Sequence, residues 1–166
     1  GMHLNINGDF GYHILSTEKD KLNVFLSHRS TNGNIDYIQI EDQVKAKLND
    51  NTGGINYAHT FEKAILNLGG KYNYSGFNYY GLPINNMSSL PVEDLLSKAD
   101  RETNQVNQTI QAKIGIEAKE DAAFFYLIDL DYINFSHKYG LSKELDGPTE
   151  HTLDAKFDFS AFFNGN

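Results

Sequence analysis

Apolar and polar residues alternate with a period of two along most of this chain. That pattern is typical of β-strands that have one apolar and one polar face. It predicts seven long strands near residues 3–15, 21–29, 54–60, 64–78, 105–117, 122–136 and 150–163. Several exceed the usual strand length of about five or six residues roughly twofold.

The two clearest apolar rows lie in the last two predicted strands. They consist of Phe124, Tyr126 and Ile128, and of Leu153, Phe157 and Phe159. We expect both rows to face either lipid or an internal cavity, because each alternates with polar residues that require water.

The connections between the predicted strands alternate between short and long. Tight turns near 16–20, 61–63 and 118–121 alternate with long segments at 30–52, 81–103 and 138–149. In an antiparallel meander this order places all tight turns at one end of the sheet. We therefore predict an all-β, up-and-down meander of about seven or eight strands, a barrel or partial barrel forming a single domain over 1–166. A helical turn at 41–48 and a short helix at 89–96 are also predicted.

Composition narrows the classes of function. The chain has 166 residues, a net charge of −8 and no cysteine. Disulfides, thiolate metal sites and thiol catalysis are therefore excluded, and an acidic chain without a basic cluster argues against nucleic-acid partners. No motif indicates a catalytic residue, a metal site or a cofactor, so we predict that the protein is not an enzyme. The N terminus has neither the basic nor the apolar segment of a signal peptide.

Two kinds of barrel share this alternation. In an outer-membrane barrel the apolar face contacts lipid, the strands need about 9 to 11 residues to cross, and short and long connections lie at opposite ends. In a soluble lipocalin-like barrel the apolar face surrounds a small apolar or lipid-like ligand. Strand length and segregated connections favour the first. A carbohydrate-binding β-sandwich with exposed tyrosines is a third alternative.

Three segments carry a resemblance to a known family: FLSHRSTNGNI at 25–35, NDNTGGINYAHTF at 49–61 and YNYSGFNYYG at 72–81. They resemble the β-barrel portion of TonB-dependent-receptor-like outer-membrane proteins of Gram-negative bacteria. The resemblance implies an outer-membrane location and a role in transport or in the reception of extracellular ligands. The chain shows no plug domain or TonB box and has fewer strands than such receptors, so we expect a slice of a barrel wall.

Four aromatic residues near strand ends are the predicted ligand-binding residues or a membrane-interface girdle: Phe77, Tyr79, Tyr80 and Tyr139. Core packing at a barrel mouth is the alternative for them. A seven-strand sheet also leaves two free edges, which predicts self-association.

Two sets of polar side chains are candidate metal or catalytic sites. His13 and His28 flank the first hairpin and are predicted on the polar side, where hydrogen bonding to neighbours is favoured over metal binding. Asp129, Asp131, Asp154 and Asp158 are predicted on polar faces of neighbouring strands, and a solvated surface is favoured over acid–base or calcium chemistry.

Overall fold

Seven β-strands make up the fold of the part of the chain that the structure describes. The computed structural model describes residues 4–36, 43–78, 104–119, 124–139 and 147–161. The strands are β1 (Leu4–Ser16), β2 (Asp20–Asp36), β3 (Gln43–Thr60), β4 (Ala64–Asn78), β5 (Asn104–Ala118), β6 (Phe124–Tyr139) and β7 (Thr149–Ala161). The predicted helix at 89–96 lies outside the described residues. No described segment forms a helix that could cross a membrane.

The strands form one antiparallel sheet in sequence order, β1 to β7. The predicted all-β, up-and-down meander is therefore confirmed. The sheet is not closed, because strand pairing stops at β1 on one side and at β7 on the other. We call the end of the sheet with the long connections the long-connection end, and the end with the tight turns the short-turn end. Both edge strands run from the long-connection end to the short-turn end.

The second and third strands are longer than the alternation predicted. β2 continues to Asp36 and β3 already begins at Gln43, so the predicted connection at 30–52 is much shorter. The helical turn predicted at 41–48 is wrong for residues 43–48, which pair with β2. Residues 43–48 (QVKAKL) alternate polar and apolar residues as a strand does, and their pairing with β2 satisfies the backbone groups of both strands.

Tight turns fix the register of the first two hairpins. The Thr17 N–H donates to the Asp20 carbonyl (2.8 Å), and the Thr17 hydroxyl accepts from the Asp20 N–H (2.8 Å). The Phe61 N–H donates to the Ala64 carbonyl (2.8 Å). The register then runs without interruption through Gly53–Gly54 and Gly69–Gly70, so neither glycine pair forms a bulge. The irregularity in β1 lies between His13 and Leu15.

The pairing sorts side chains onto two faces. One row runs from Leu22 on β2 through Tyr57, Leu68, Ile114 and Leu130 to Ala155 on β7. The adjacent row on the other face runs from Asn23 through Asn56, Gly69, Lys113 and Asp131 to Asp154. We call these the apolar face and the polar face.

A single layer of strands leaves almost nothing enclosed. Among the described residues, the buried hydrophobic ones are Ala46, Ala64 and Ala118. Both faces of the sheet are therefore surfaces, and the function depends on whether each face contacts water, lipid or another chain.

Candidate functional site

The apolar face exposes large hydrophobic side chains along every strand. Leu153 is 70% exposed, Phe157 61% and Phe159 56%. Phe124 is exposed on the same face, where Tyr126 and Ile128 are half-buried. The predicted rows therefore do share one face. Monomeric soluble proteins rarely expose a continuous apolar surface of this extent.

Two carboxylates on the polar face are partly shielded. The Asp131 side chain is 20% exposed, and Asp129 beside it is also only partly exposed. Their partners on β7, Asp154 and Lys156, are exposed. Exposed large apolar residues on one face and partly shielded carboxylates on the other depart from the usual arrangement of a water-soluble domain.

The apolar residues form a band with defined limits. On β5, β6 and β7 the apolar face is apolar over 110–118, 124–132 and 153–161. The next apolar-face position toward the long-connection end is polar in each: Gln108, Asn134 and His151. We call this the apolar band. Each stretch has the nine or so residues that a tilted strand needs to cross a bilayer.

Hydrogen bonds hold the polar side chains against one another. The Gln111 amide donates to both carboxylate oxygens of Asp131, at 3.0 and 2.8 Å. Lys113 Nζ lies 3.6 Å from the same carboxylate. The Asn73 amide donates to the Thr52 hydroxyl (2.8 Å). These contacts fix polar rotamers on a face that has no second layer to pack them.

Two adjoining recesses open on the polar face. The larger, about 380 Å³, is lined by side chains that include Lys21, Asn23, Asn67 and Asp129. The smaller, about 150 Å³, is lined by residues that include Phe25, Lys71 and Gln111. Both are also lined by Asn56, Gly69 and Lys113, so they form one depression, which we call the amide groove.

A polar cluster lies on the apolar face at the short-turn end. The Tyr57 hydroxyl donates to Asp20 Oδ1 (2.7 Å), and His59 Nδ1 lies 2.6 Å from the same oxygen. The Phe61 ring meets the imidazole edge-on, with 4.4 Å between ring centroids. The cluster sits next to the turns, beyond Leu22, where the apolar band ends on β2.

The structure separates the predicted aromatic residues. Phe77 lies on the polar face, half-buried and opposite Leu48, so it does not belong to the apolar band. The Tyr139 backbone pairs with Gln105 at the end of β6. Tyr79 and Tyr80 lie outside the described residues. The fold therefore does not bring these four residues together into a described site.

The polar-face placement is wrong for His28 but confirmed for His13 and the aspartates, and both histidines contact neighbouring asparagines as predicted. His13 is on the polar face and contacts Asn23, but His28 is on the apolar face opposite Gly8. His28 hydrogen-bonds to Asn51 (2.7 Å). The aspartates share the polar face, where Asp131 is opposite Asp154. Within the described ranges no three His, Asp or Glu side chains are grouped to hold a metal ion.

Comparison with protein-family models, curated proteins and solved structures found no match for this chain.

The amide groove is the site that the sequence did not indicate. Its asparagines come from three strands, and each is an ordinary polar residue in an alternating pattern. Only the register of β2, β3 and β4 places them side by side. The repeated Asn and Gly on the polar positions of these strands were the available signal.

Proposed function

We propose that this chain forms part of the wall of an outer-membrane β-barrel with a role in transport or ligand reception. The apolar face contacts lipid, and the polar face lines a water-filled interior. The observation that carries the proposal is the exposed apolar band, because its length on β5, β6 and β7 and the direction of its limit at the short-turn end fit a membrane-spanning wall.

The direction of the band is the most specific of these features. At the short-turn end the band ends at Leu22 on β2, and the row of Leu22 leads to Ala155 on β7. On β7 the band continues to Ala161, six residues beyond Ala155, and β7 is the fifth strand after β2. Six residues extend about 20 Å along a strand, and five strand spacings extend about 24 Å across the sheet. The limit of the band therefore makes an angle of about 40° with the line perpendicular to the strands.

The other limit of the band is irregular. On β1 apolar-face residues are apolar from Leu4, whereas the partners of Leu4, Ile6 and Gly8 on β2 are Asn32, Ser30 and His28. The direction is therefore taken from the limit at the short-turn end. Strands of membrane barrels tilt by about 35–45°, so a band running level with the membrane would cross them at about the slope of that limit.

Lipid contact is tested by labelling neighbouring residues on opposite faces. The chain has no cysteine, so Phe157→Cys and Asp158→Cys each carry a single thiol for an environment-sensitive fluorophore. In vesicles whose lipids carry a quencher on the acyl chain, we expect strong quenching at position 157 and little at 158. Equal, weak quenching at both positions, with the protein in the aqueous fraction, would support a soluble barrel instead.

The two edge strands, β1 and β7, must pair with other strands if the sheet is part of a closed barrel. Because β1 and β7 run in the same direction, direct pairing between them would be parallel. The β1 edge carries no Lys, Arg or Pro, the residues with which exposed edges are usually protected. We propose that a further strand covers it, in self-association or in a larger barrel.

A further inference from the structure

The amide groove has a floor without side chains. Gly69 and Gly115 lie in its base. A Cβ on Gly69 would sit 3.4 Å from both Asn56 Oδ1 and Lys113 Cβ, so any larger side chain there would fill the groove. At Gly115 the space above the backbone is already taken by the Asp129 carboxylate. The groove therefore depends on Gly69.

Amide side chains surround this floor. Asn23 is opposite Asn56 across β2 and β3, and Asn67 lies one row away on β4. Asn56 and Asn67 each present two donors and an acceptor, whereas the Asn23 oxygen already contacts His13 and Asn23 presents its donors. Within the described residues the Asn56 and Asn67 side chains make no hydrogen bond to protein. They are therefore available to a solute that both donates and accepts hydrogen bonds.

The groove carries a small positive charge. Lys21, Lys71, Lys113 and Asp129 line it, and Lys113 is paired with Asp131, which leaves a net charge of +1 for the three lysines and two aspartates. The lysine side chains are exposed, so water screens their attraction for an anion. The charge therefore does not favour a cation and favours an anion only weakly.

An aromatic wall closes one side of the groove. Phe25 covers the backbone of Gly54, where a Cβ would collide with its ring, and it lines the smaller recess. Binding sites for small molecules commonly combine such an apolar surface with a few orienting polar groups. A flat ring packs well against the C–H face of a sugar ring, and the sugar's hydroxyls can then hydrogen-bond to neighbouring amides.

We propose that the amide groove binds a neutral polyhydroxylated solute of the sugar class. This solute would be the ligand of the proposed ligand-reception function, and the inference rests on that proposed function. The binding residues are Asn23, Asn56, Asn67 and Phe25, over the floor at Gly69.

Binding is measured by titration calorimetry with maltose, glutamate and inorganic phosphate on the full chain. The detergent carries a zwitterionic rather than a sugar headgroup, because a glycoside detergent would compete. We expect saturable binding of maltose, and at least about tenfold weaker binding of glutamate and phosphate.

Two glycine variants locate the site. Gly69→Val fills the groove, and we expect it to weaken maltose binding at least about tenfold. Gly8→Val is the control, because Gly8 is on the apolar face and a Cβ there meets nothing within 4 Å. Asn67→Leu removes one amide while leaving the floor open, and should weaken binding as well.

Each other outcome overturns the proposal. Absence of maltose binding, binding unchanged in Gly69→Val, or equal binding of the charged solutes would each do so. Lipid exposure at positions 157 and 158 is measured separately, so strong quenching without sugar binding rejects the groove alone. Sugar binding without quenching rejects the membrane wall.

Discussion

The ring of Phe25 lies over the backbone of Gly54, its partner on the neighbouring strand. An added Cβ at Gly54 would collide with that ring and lie 2.8 Å from the Gly70 carbonyl oxygen. Phe25 thus covers a strand position that has no side chain to pack. The pair joins β2, β3 and β4 at one wall of the amide groove.

Gly54→Ala should therefore destabilise the sheet. Relieving the collision requires a shift of the ring and of the β4 backbone, and overpacking of this kind typically costs about 1–3 kcal/mol. The measurement is urea unfolding of the protein in lipid vesicles. Gly8→Ala is the matched control, because the space around Gly8 is open. An equal effect of both variants would show that the general cost of replacing glycine, not the contact, is being measured.

Charge should be tolerated on one face and not on the other. Ala155 lies within the apolar band on β7, whereas its neighbour Asp154 is on the polar face. A lysine on the lipid side of a barrel costs about 2–4 kcal/mol near the membrane midplane. Ala155→Lys should accordingly reduce the yield and stability of the vesicle-inserted protein, and Asp154→Lys should leave both nearly unchanged. If the protein folds equally well with either variant, the apolar face is not in lipid.

The two partners of Asp131 should contribute unequally. Gln111 donates two hydrogen bonds to this shielded carboxylate, whereas the Lys113 side chain is 60% exposed and lies 3.6 Å away. Hydrogen bonds to charged groups contribute about 1.5–3 kcal/mol, and exposed ion pairs about 0–1 kcal/mol. Gln111→Ala should lower the urea midpoint more than Lys113→Ala. The reverse order would mean that the ion pair dominates.

Self-association through β1 should depend on the residues whose backbone points outward. The Thr60 N–H donates to the Lys19 carbonyl, so polar-face residues of β2 bond toward β3 and apolar-face residues bond toward β1. Polar-face residues of β1, such as Asn7, therefore direct their N–H to the free edge, and Ile6 directs its N–H to β2. Proline lacks that donor and is tolerated in strands where the N–H faces away from the sheet.

We expect Asn7→Pro to weaken self-association with little loss of stability, and Ile6→Pro to destabilise the β1–β2 pairing itself. Sedimentation in detergent measures the first effect and urea unfolding the second. Self-association that persists unchanged in Asn7→Pro would place the interface elsewhere.

The alternation of apolar and polar residues predicted most of this fold, although it placed some strand boundaries wrongly. It identified the strands, the antiparallel meander and the membership of the row Leu153, Phe157 and Phe159, because the side-chain period of a strand is two. The interpretation failed at 43–48 (QVKAKL), where polar and apolar residues also alternate but Gln, Lys, Ala and Leu all have high helix propensity. Pairing with β2 decides the strand conformation there, because it satisfies the backbone groups of both segments.

Only the tertiary structure decided which residues are neighbours across the strands. Register gathered Asn23, Asn56 and Asn67 around Gly69 and gave the apolar band its slope. A slip of one residue would exchange the faces of a strand without changing its alternation. The sequence therefore determines that each strand has two faces, and the pairing determines which surface those faces build together.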